Sequence, residues 1–281
     1  MAYLAELMAS SGGVVTRAQL EAFSYGGEQL KLIDQSRGIR NPRQLSSTLS
    51  ILSQPKGPYD DVETEDGLLR YAYRDGDPDA GDNRKLRRAA ELGLPLVLLQ
   101  GIAPGVFVPT FPVYVVADDP IGRYVEIAVD ENLRYLAGTT PTADTREYAE
   151  RLTKLRLHQP VFRARVLRAY EQACAICRLK HVDLLDAAHI LSDAEGGQPV
   201  VPNGLSLCKI HHAAYDRGIL GVRRDYVVEV RADVLLEVDG PMLKHGIQDV
   251  HGWTLELPKR ASELPDQDLL EQRWQVFSNS W

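Results

Sequence analysis

Cys174, Cys177, Cys208 and His211 are spaced as two half-sites, Cys-x-x-Cys and Cys-x-x-His. Thiolate and imidazole donors in that pattern suit one tetrahedral Zn²⁺ that clips two distant stretches of chain together. The set uses all three cysteines of the chain. Between and beside these residues stand His189, Asn203, His212 and Asp216. A neutral imidazole such as that of His189 can take a proton from water near pH 7. His212 and Asp216 are four residues apart, so on a helix both point the same way and can hold one divalent cation. Asn203 precedes Gly204, a pair that suits a tight loop braced by the Asn amide. A base, a cation and a braced loop are together the equipment for hydrolysing a phosphate ester.

The flanking pattern says which elements carry these residues. Residues 183–190 suit a strand bearing His189, and residues 206–217 a helix bearing His212 and Asp216. A helix over 161–172 delivers the chain to Cys174, and a charged helix over 145–158 precedes it, interrupted by Pro160. After the site, 222–230 and 253–257 read as strands and 268–277 as a closing helix. Before it, the first 25 residues hold two short amphipathic patterns, with Thr16 placed to cap the second. Residues 68–73, 94–100, 106–108 and 113–116 read as strands, with a helix over 83–92 that ends at Gly93. That texture predicts a compact α+β domain with a curved sheet, followed by a Thr/Pro-rich linker at 139–143.

At 281 residues, 44% of them hydrophobic, the chain has room for two domains and a buried core. No run approaches the roughly 18 apolar residues of a membrane span, and the first residues lack the basic start and apolar stretch of a secretory signal. Three cysteines in one candidate metal site fit a reducing cytoplasm better than a disulfide framework. The net charge of −7 argues mildly against nucleic acid, but the charge is uneven. Acidic residues crowd positions 60–82, whereas Arg146, Arg151, Lys154, Arg156, Arg163, Arg165, Arg168, Arg178 and Lys180 crowd the approach to the cysteines. Screening confines each patch to about 10 Å, so local sign outweighs the total.

The run 174–221 resembles the HNH endonucleases, whose core is a ββα-metal fold. His189 stands at the first H, Asn203 at the N and His212 at the second H, and the four zinc-type residues fall where several such enzymes carry a structural zinc. The resemblance implies His189 as general base, His212 with Asp216 on a catalytic Mg²⁺ or Mn²⁺, and Asn203 as a brace. Many members have Asp or His immediately before the base, whereas this chain has Ala188. Asp186 lies three residues before the base, and strand alternation points it away from His189.

The stretch from Gly57 to Asn83, through Tyr59, Asp61, Asp66, Tyr71 and Tyr73, looks like the SRA-type domains of modification-dependent restriction enzymes. Such domains grip duplex DNA and, in several members, flip a modified cytosine into an aromatic-lined pocket. The tyrosines could stack on a flipped base, and the carboxylates could accept from its amino group. The two likenesses together imply an α+β chain in three parts. These are an SRA/PUA-like curved-sheet domain over 1–138, a linker and helix over 139–160, and a zinc-stapled HNH domain with a C-terminal extension over 161–281. They imply a cytoplasmic restriction-type endonuclease for double-stranded DNA carrying 5-methylcytosine or a similar base, with no membrane partner. One ββα-metal site cuts one strand, so a double-strand break calls for a homodimer or two independent nicks.

Plainer readings stand beside these. A CxxC…CxxH set is also that of a purely structural zinc knuckle, and a lone histidine beside Ala-Ala is also a buried, hydrogen-bonded one. Tyr71 and Tyr73, two apart on a strand, are equally core residues. Two rival functions follow: an HNH nuclease indifferent to modification, and a non-catalytic zinc-stabilised DNA-binding protein.

Overall fold

The structure, a computed structural model, describes residues 1–35, 37–54, 62–64, 67–136 and 142–279. Tyr59, Asp61, Asp66 and the greater part of the Thr/Pro-rich stretch lie outside the described residues. The chain divides into two compact units, Met1–Val161 and Phe162–Trp281.

The first unit runs α1 (Ala2–Ser10), β1 (Val15–Thr16), α2 (Arg17–Ala22), β2 (Ser24–Tyr25), β3 (Glu28–Gln29), β4 (Ile39–Arg40) and β5 (Ser50–Ser53). It continues through β6 (Val62–Glu63), β7 (Leu69–Ala72), α3 (Gly81–Leu92), β8 (Pro95–Ala103), β9 (Val106–Asp119), β10 (Tyr124–Ala128) and α4 (Ala143–Thr153). One mixed sheet in the order β4-β5-β8-β9-β10-β7-β6, with β1 also on β9, forms its frame. Only β5 and β8 pair in parallel among these strands. Register shifts along β8–β9 and β9–β10 bend the strands. Side chains alternate between faces, so Leu96 and Leu98 join a core with Tyr71, Leu86, Val113 and Ile127, while Val97 and Leu99 join a second with Leu4, Leu20 and Phe107. A continuous apolar run therefore serves a strand buried on both sides.

Local signals account for several boundaries. Thr16 caps α2 in a reciprocal capping box with Gln19, and Gly93 at φ 61° closes α3 in the left-handed region that glycine tolerates. Two expectations are corrected. The two short strands read at 106–108 and 113–116 are one long strand, β9, because a register shift between Leu96 and Leu98 lets the ladder bypass Phe111 and Pro112. Pro160 does not interrupt its helix either. The chain passes from α4 through a π-helical turn, Lys154–His158, into α5 (Gln159–Ala169). The Arg156 carbonyl, which an ordinary amide at 160 would bond, instead accepts the Thr110 hydroxyl at 3.2 Å.

The second unit contains most of α5, then β11 (Leu185–His189), β12 (Gly204–Cys208), α6 (Lys209–Asp216), β13 (Leu220–Val222), β14 (Val228–Val230), α7 (Ala232–Leu236), α8 (Pro241–Gly246) and α9 (Gln267–Ser278). Helix α5 stops at Ala169, and Glu171 and Gln172 turn the chain through left-handed conformations at φ 54° and 56°. Residues 206–208, expected in a helix, complete β12, because the alternation Leu205-Ser-Leu-Cys pairs along β11. The expected strand over 222–230 is a hairpin, and 253–257 contributes one bridge, Thr254 to Val227. Phe162, Val166 and Tyr170 pack with Leu185, Leu205, Leu207, Tyr215, Val228 and Leu270 in one core. Among the described residues no helix is long and apolar enough to cross a membrane.

Candidate functional site

Cys174 and Cys177 sit on a tight turn after α5. The Arg178 amide donates to the Cys174 carbonyl at 2.9 Å, and Arg178 itself adopts φ 60°. Cys208 ends β12, and His211 lies in the first turn of α6. The four donor atoms lie within 4.8 Å of one another. His211 Nδ1 is 3.4 Å from Cys174 Sγ and 3.3 Å from Cys208 Sγ, and the Cys177 and Cys208 sulfurs are 4.0 Å apart. A tetrahedral zinc with ordinary bond lengths spaces such donors by about 3.5–3.8 Å, so the donor set fits the ion. His211 Nε2 meets the Gly246 carbonyl at 2.9 Å, which leaves Nδ1 as the ligand nitrogen. Burial works to lower the His211 pKa, but hydrogen bonding to Cys177 and Cys208 carries it up to about 9. Hydrogen bonds from Cys174 and Cys177 hold the Cys208 thiol far below its usual range, as a thiolate. The rise at His211 reflects the negative charge of the sulfurs beside it, which a divalent cation would neutralise.

The antiparallel pair β11–β12 and the helix α6 form a ββα unit, with the helix packed on both strands. His189 ends β11 directly opposite Gly204. Its ring lies parallel to that of Phe162 on α5, with centroids 4.1 Å apart and planes 16° from parallel. A methyl group on Gly204 would stand 2.5 Å from Val166 Cγ2 and 2.9 Å from Phe162 Cζ, so the bare glycine lets α5 lie close enough for that stack.

Asn203 is fully buried. Its Oδ1 accepts the Leu191 amide at 2.9 Å, while Nδ2 donates to the carbonyls of Leu191 and Gln198, both at 2.9 Å. The loop from 191 to 203 therefore closes on one side chain. Gly197 is required beside it, since a Cβ there would lie 1.9 Å from the Leu191 carbonyl oxygen.

His212 sits between two carboxylates. Nε2 is 3.3 Å from Asp216 Oδ2, one helical turn on, and Nδ1 is 3.5 Å from Asp186 Oδ2 on β11. Alternation that turns Asp186 from His189 turns it toward α6. Lys209 Nζ also reaches Asp186 at 2.5 Å, and Arg163 Nε at 3.7 Å. Burial works to raise the Asp186 pKa, but Lys209 first and His212 next hold it below the usual carboxylate value. A carboxylate is thus present on the α6 side of β11 despite Ala188.

Part of the basic run is spent on contacts within the chain. Arg156 bonds Asp130 and the Phe111 carbonyl, Arg163 bonds the carbonyls of Val182 and Leu185, and Arg178 pairs with Glu256. In the first unit Tyr71 and Tyr73 are buried in the core. The Tyr71 hydroxyl donates to the Gly38 and Leu52 carbonyls, and that of Tyr73 to Asp118.

Phe162 and Gly246 are the site residues that sequence reading does not single out. Asp186 is legible there as a replacement for the residue missing at Ala188, set aside because it faces away from His189, but that same alternation turns it to His212.

Residues 174–223 match the family model described as HNH endonuclease. No curated protein matches the chain. Among solved structures, a modification-dependent TagI restriction endonuclease is 18% identical, with a TM-score of 0.33 and 86% of each chain covered. The type IV phosphorothioation-dependent restriction endonuclease ScoMcrA is 16% identical with a TM-score of 0.26. That match covers 64% of this chain, which spans about half the length of ScoMcrA, 48%.

Proposed function

We propose, from the HNH endonuclease domain at residues 174–223, that this chain is a divalent-cation-dependent endonuclease that hydrolyses phosphodiesters of double-stranded DNA. The observation that carries the reading is the ββα unit itself: a histidine ends one strand, a fully satisfied asparagine closes the loop, and a histidine–carboxylate pair lines the helix. His189 takes the proton of the attacking water, a role in which a positioned base contributes about 10²–10⁴-fold. His212 and Asp216 would hold Mg²⁺ or Mn²⁺. Bound there, the ion would supply charge neutralisation at the phosphate and the leaving 3′ oxygen. Zinc on Cys174, Cys177, Cys208 and His211 serves folding, because all four positions are taken by protein.

The finer reading is a restriction enzyme directed to modified cytosine. Its support is the sequence likeness of the first domain to SRA-type modules, since an HNH core by itself makes mainly phosphate and groove contacts. Tyr59, Asp61 and Asp66 remain the proposed base-reading residues. Tyr71 and Tyr73 have buried rings and engaged hydroxyls, which favours the core reading of these two over stacking on a flipped base. Double-strand cutting would need two copies of the chain or two independent nicks.

Matched plasmids, unmodified and cytosine-methylated, incubated with Mg²⁺ or Mn²⁺ test both levels. Methyl-dependent cutting that vanishes in His189→Ala with zinc retained is the expected result. Equal cutting of both plasmids removes the modification reading and keeps the nuclease. Undiminished cutting by His189→Ala overturns the assignment of the base.

A further inference from the structure

The ring of His212 has two nitrogens, and the structure sets a carboxylate against each. One ring nitrogen of a neutral imidazole carries a proton and the other a lone pair, so the two carboxylates have different tasks. Their surroundings decide between them. Asp186 is three-quarters buried and already meets Lys209 and Arg163. Two cations beside it neutralise its charge and leave it poorly placed to take on a third. Asp216 is more than half exposed, and His212 is its ion-pair partner. Asp216 therefore keeps free lone pairs on the open side of the helix.

We infer that Asp186 is a positioning residue: it accepts the Nδ1–H of His212 and so presents the Nε2 lone pair, beside Asp216, to the divalent cation. This rests on the nuclease reading of the ββα unit. The arrangement is a carboxylate–histidine–metal relay, in which the outer partner fixes the tautomer and the ring plane of the ligand. It also accounts for Ala188. Positions 186 and 188 face the same side of β11, so a carboxylate two residues earlier serves the helix as a support for the ligand.

The test is Mn²⁺ binding to the full chain without DNA, followed by electron paramagnetic resonance, with cleavage measured in parallel. Variants are Asp186→Ala, Asp186→Asn, His212→Ala and Asp186→Ala/His212→Ala. Zinc content and melting temperature verify folding in each. Asp186→Ala is expected to weaken Mn²⁺ binding about 10- to 100-fold. Asp186→Asn should recover most of that loss, because its amide oxygen still accepts the Nδ1–H, whereas a direct ligand would not be rescued. In the double variant Asp186→Ala should add little to His212→Ala, as expected of residues that act through one another. Full Mn²⁺ affinity in a folded Asp186→Ala, or an Asn variant as weak as the Ala variant, overturns the inference while His212→Ala still abolishes binding. Unchanged binding and cleavage in His212→Ala would overturn the nuclease reading beneath it.

Discussion

The imidazole of His189 lies face to face with the ring of Phe162, at 4.1 Å and 16° from parallel, and the absence of a side chain at Gly204 makes the approach possible. The stack from α5 constrains the ring plane of a base that stands at the end of a two-stranded ribbon. Phe162→Leu keeps an apolar side chain but loses the flat face. Cleavage should fall by about 10-fold, the cost of a loosened general base, with zinc content unchanged. Gly204→Ala should act more severely and through stability. Its methyl group meets Val166 and Phe162, and overpacking of that kind costs about 1–3 kcal/mol. Urea unfolding of the two variants would separate the effects. A Gly204→Ala protein as stable as the parent would mean that α5 shifts freely, and the stack would lose its significance.

Asn203 makes three hydrogen bonds with no solvent at hand. Asn203→Asp preserves the shape but replaces the Nδ2 donor by an oxygen facing the Leu191 and Gln198 carbonyls. The carboxylate would be buried against two acceptors, and a loss of at least about 3 kcal/mol is expected. Asn203→Ala should cost less, about 1–3 kcal/mol, because it removes bonds without adding charge. Chemical denaturation gives the order directly. The reverse order would show that the loop rearranges around the carboxylate.

The zinc site extends beyond its ligands to the carbonyl of Gly246, at the end of α8. Cys177→Ser should lose zinc and unfold the second unit at ordinary temperature, since structural zinc contributes folding free energy directly. A Cys177→Ser protein that keeps its zinc and its melting temperature would remove that residue from the ligand set. His211→Cys is the subtler probe. Four cysteines still bind zinc, but the thiolate has no second donor for Gly246. Zinc should stay, while amide exchange over Pro241–Gly246 should rise. Unaltered exchange would mean that the carbonyl contributes nothing to anchoring α8.

What could be read from sequence in this site was what lies close in sequence. Cys174 with Cys177, Cys208 with His211, and His212 with Asp216 are each set by a turn or a helix of fixed geometry. The contacts that orient them span longer separations. Phe162 reaches His189 across 27 positions, Asp186 reaches His212 across 26, and Gly246 reaches His211 across 35. Knowing them requires knowing which face of the ribbon each helix covers. In the first unit the apolar runs announced strands, but Pro109 and Pro112 concealed that β9 is continuous. Pro160 likewise read as a break, because nothing local shows that Thr110 satisfies the Arg156 carbonyl.

Arg156 ties three parts of the first unit together, through Asp130 at 2.5 Å, the Phe111 carbonyl at 2.8 Å and the π-helical turn from which it projects. Burial works to raise the Asp130 pKa, but the Asn132 amide and Arg156 outweigh it, and the carboxyl titrates below its ordinary value of 3.8. The sign follows from linkage. A group whose folded pKa is depressed contributes its full stability above the unfolded pKa and loses it as pH falls through the folded one. The pair should therefore hold the first unit at neutral pH and fail progressively below about pH 4. Asp130→Asn should lower the urea midpoint at pH 7, and the gap to the parent should close as pH falls through the depressed folded pKa and the parent's carboxyl protonates. A gap of constant size across that range would mean that Asp130 acts through its shape and its bonds to Asn132. The ion pair with Arg156 would then contribute nothing to stability.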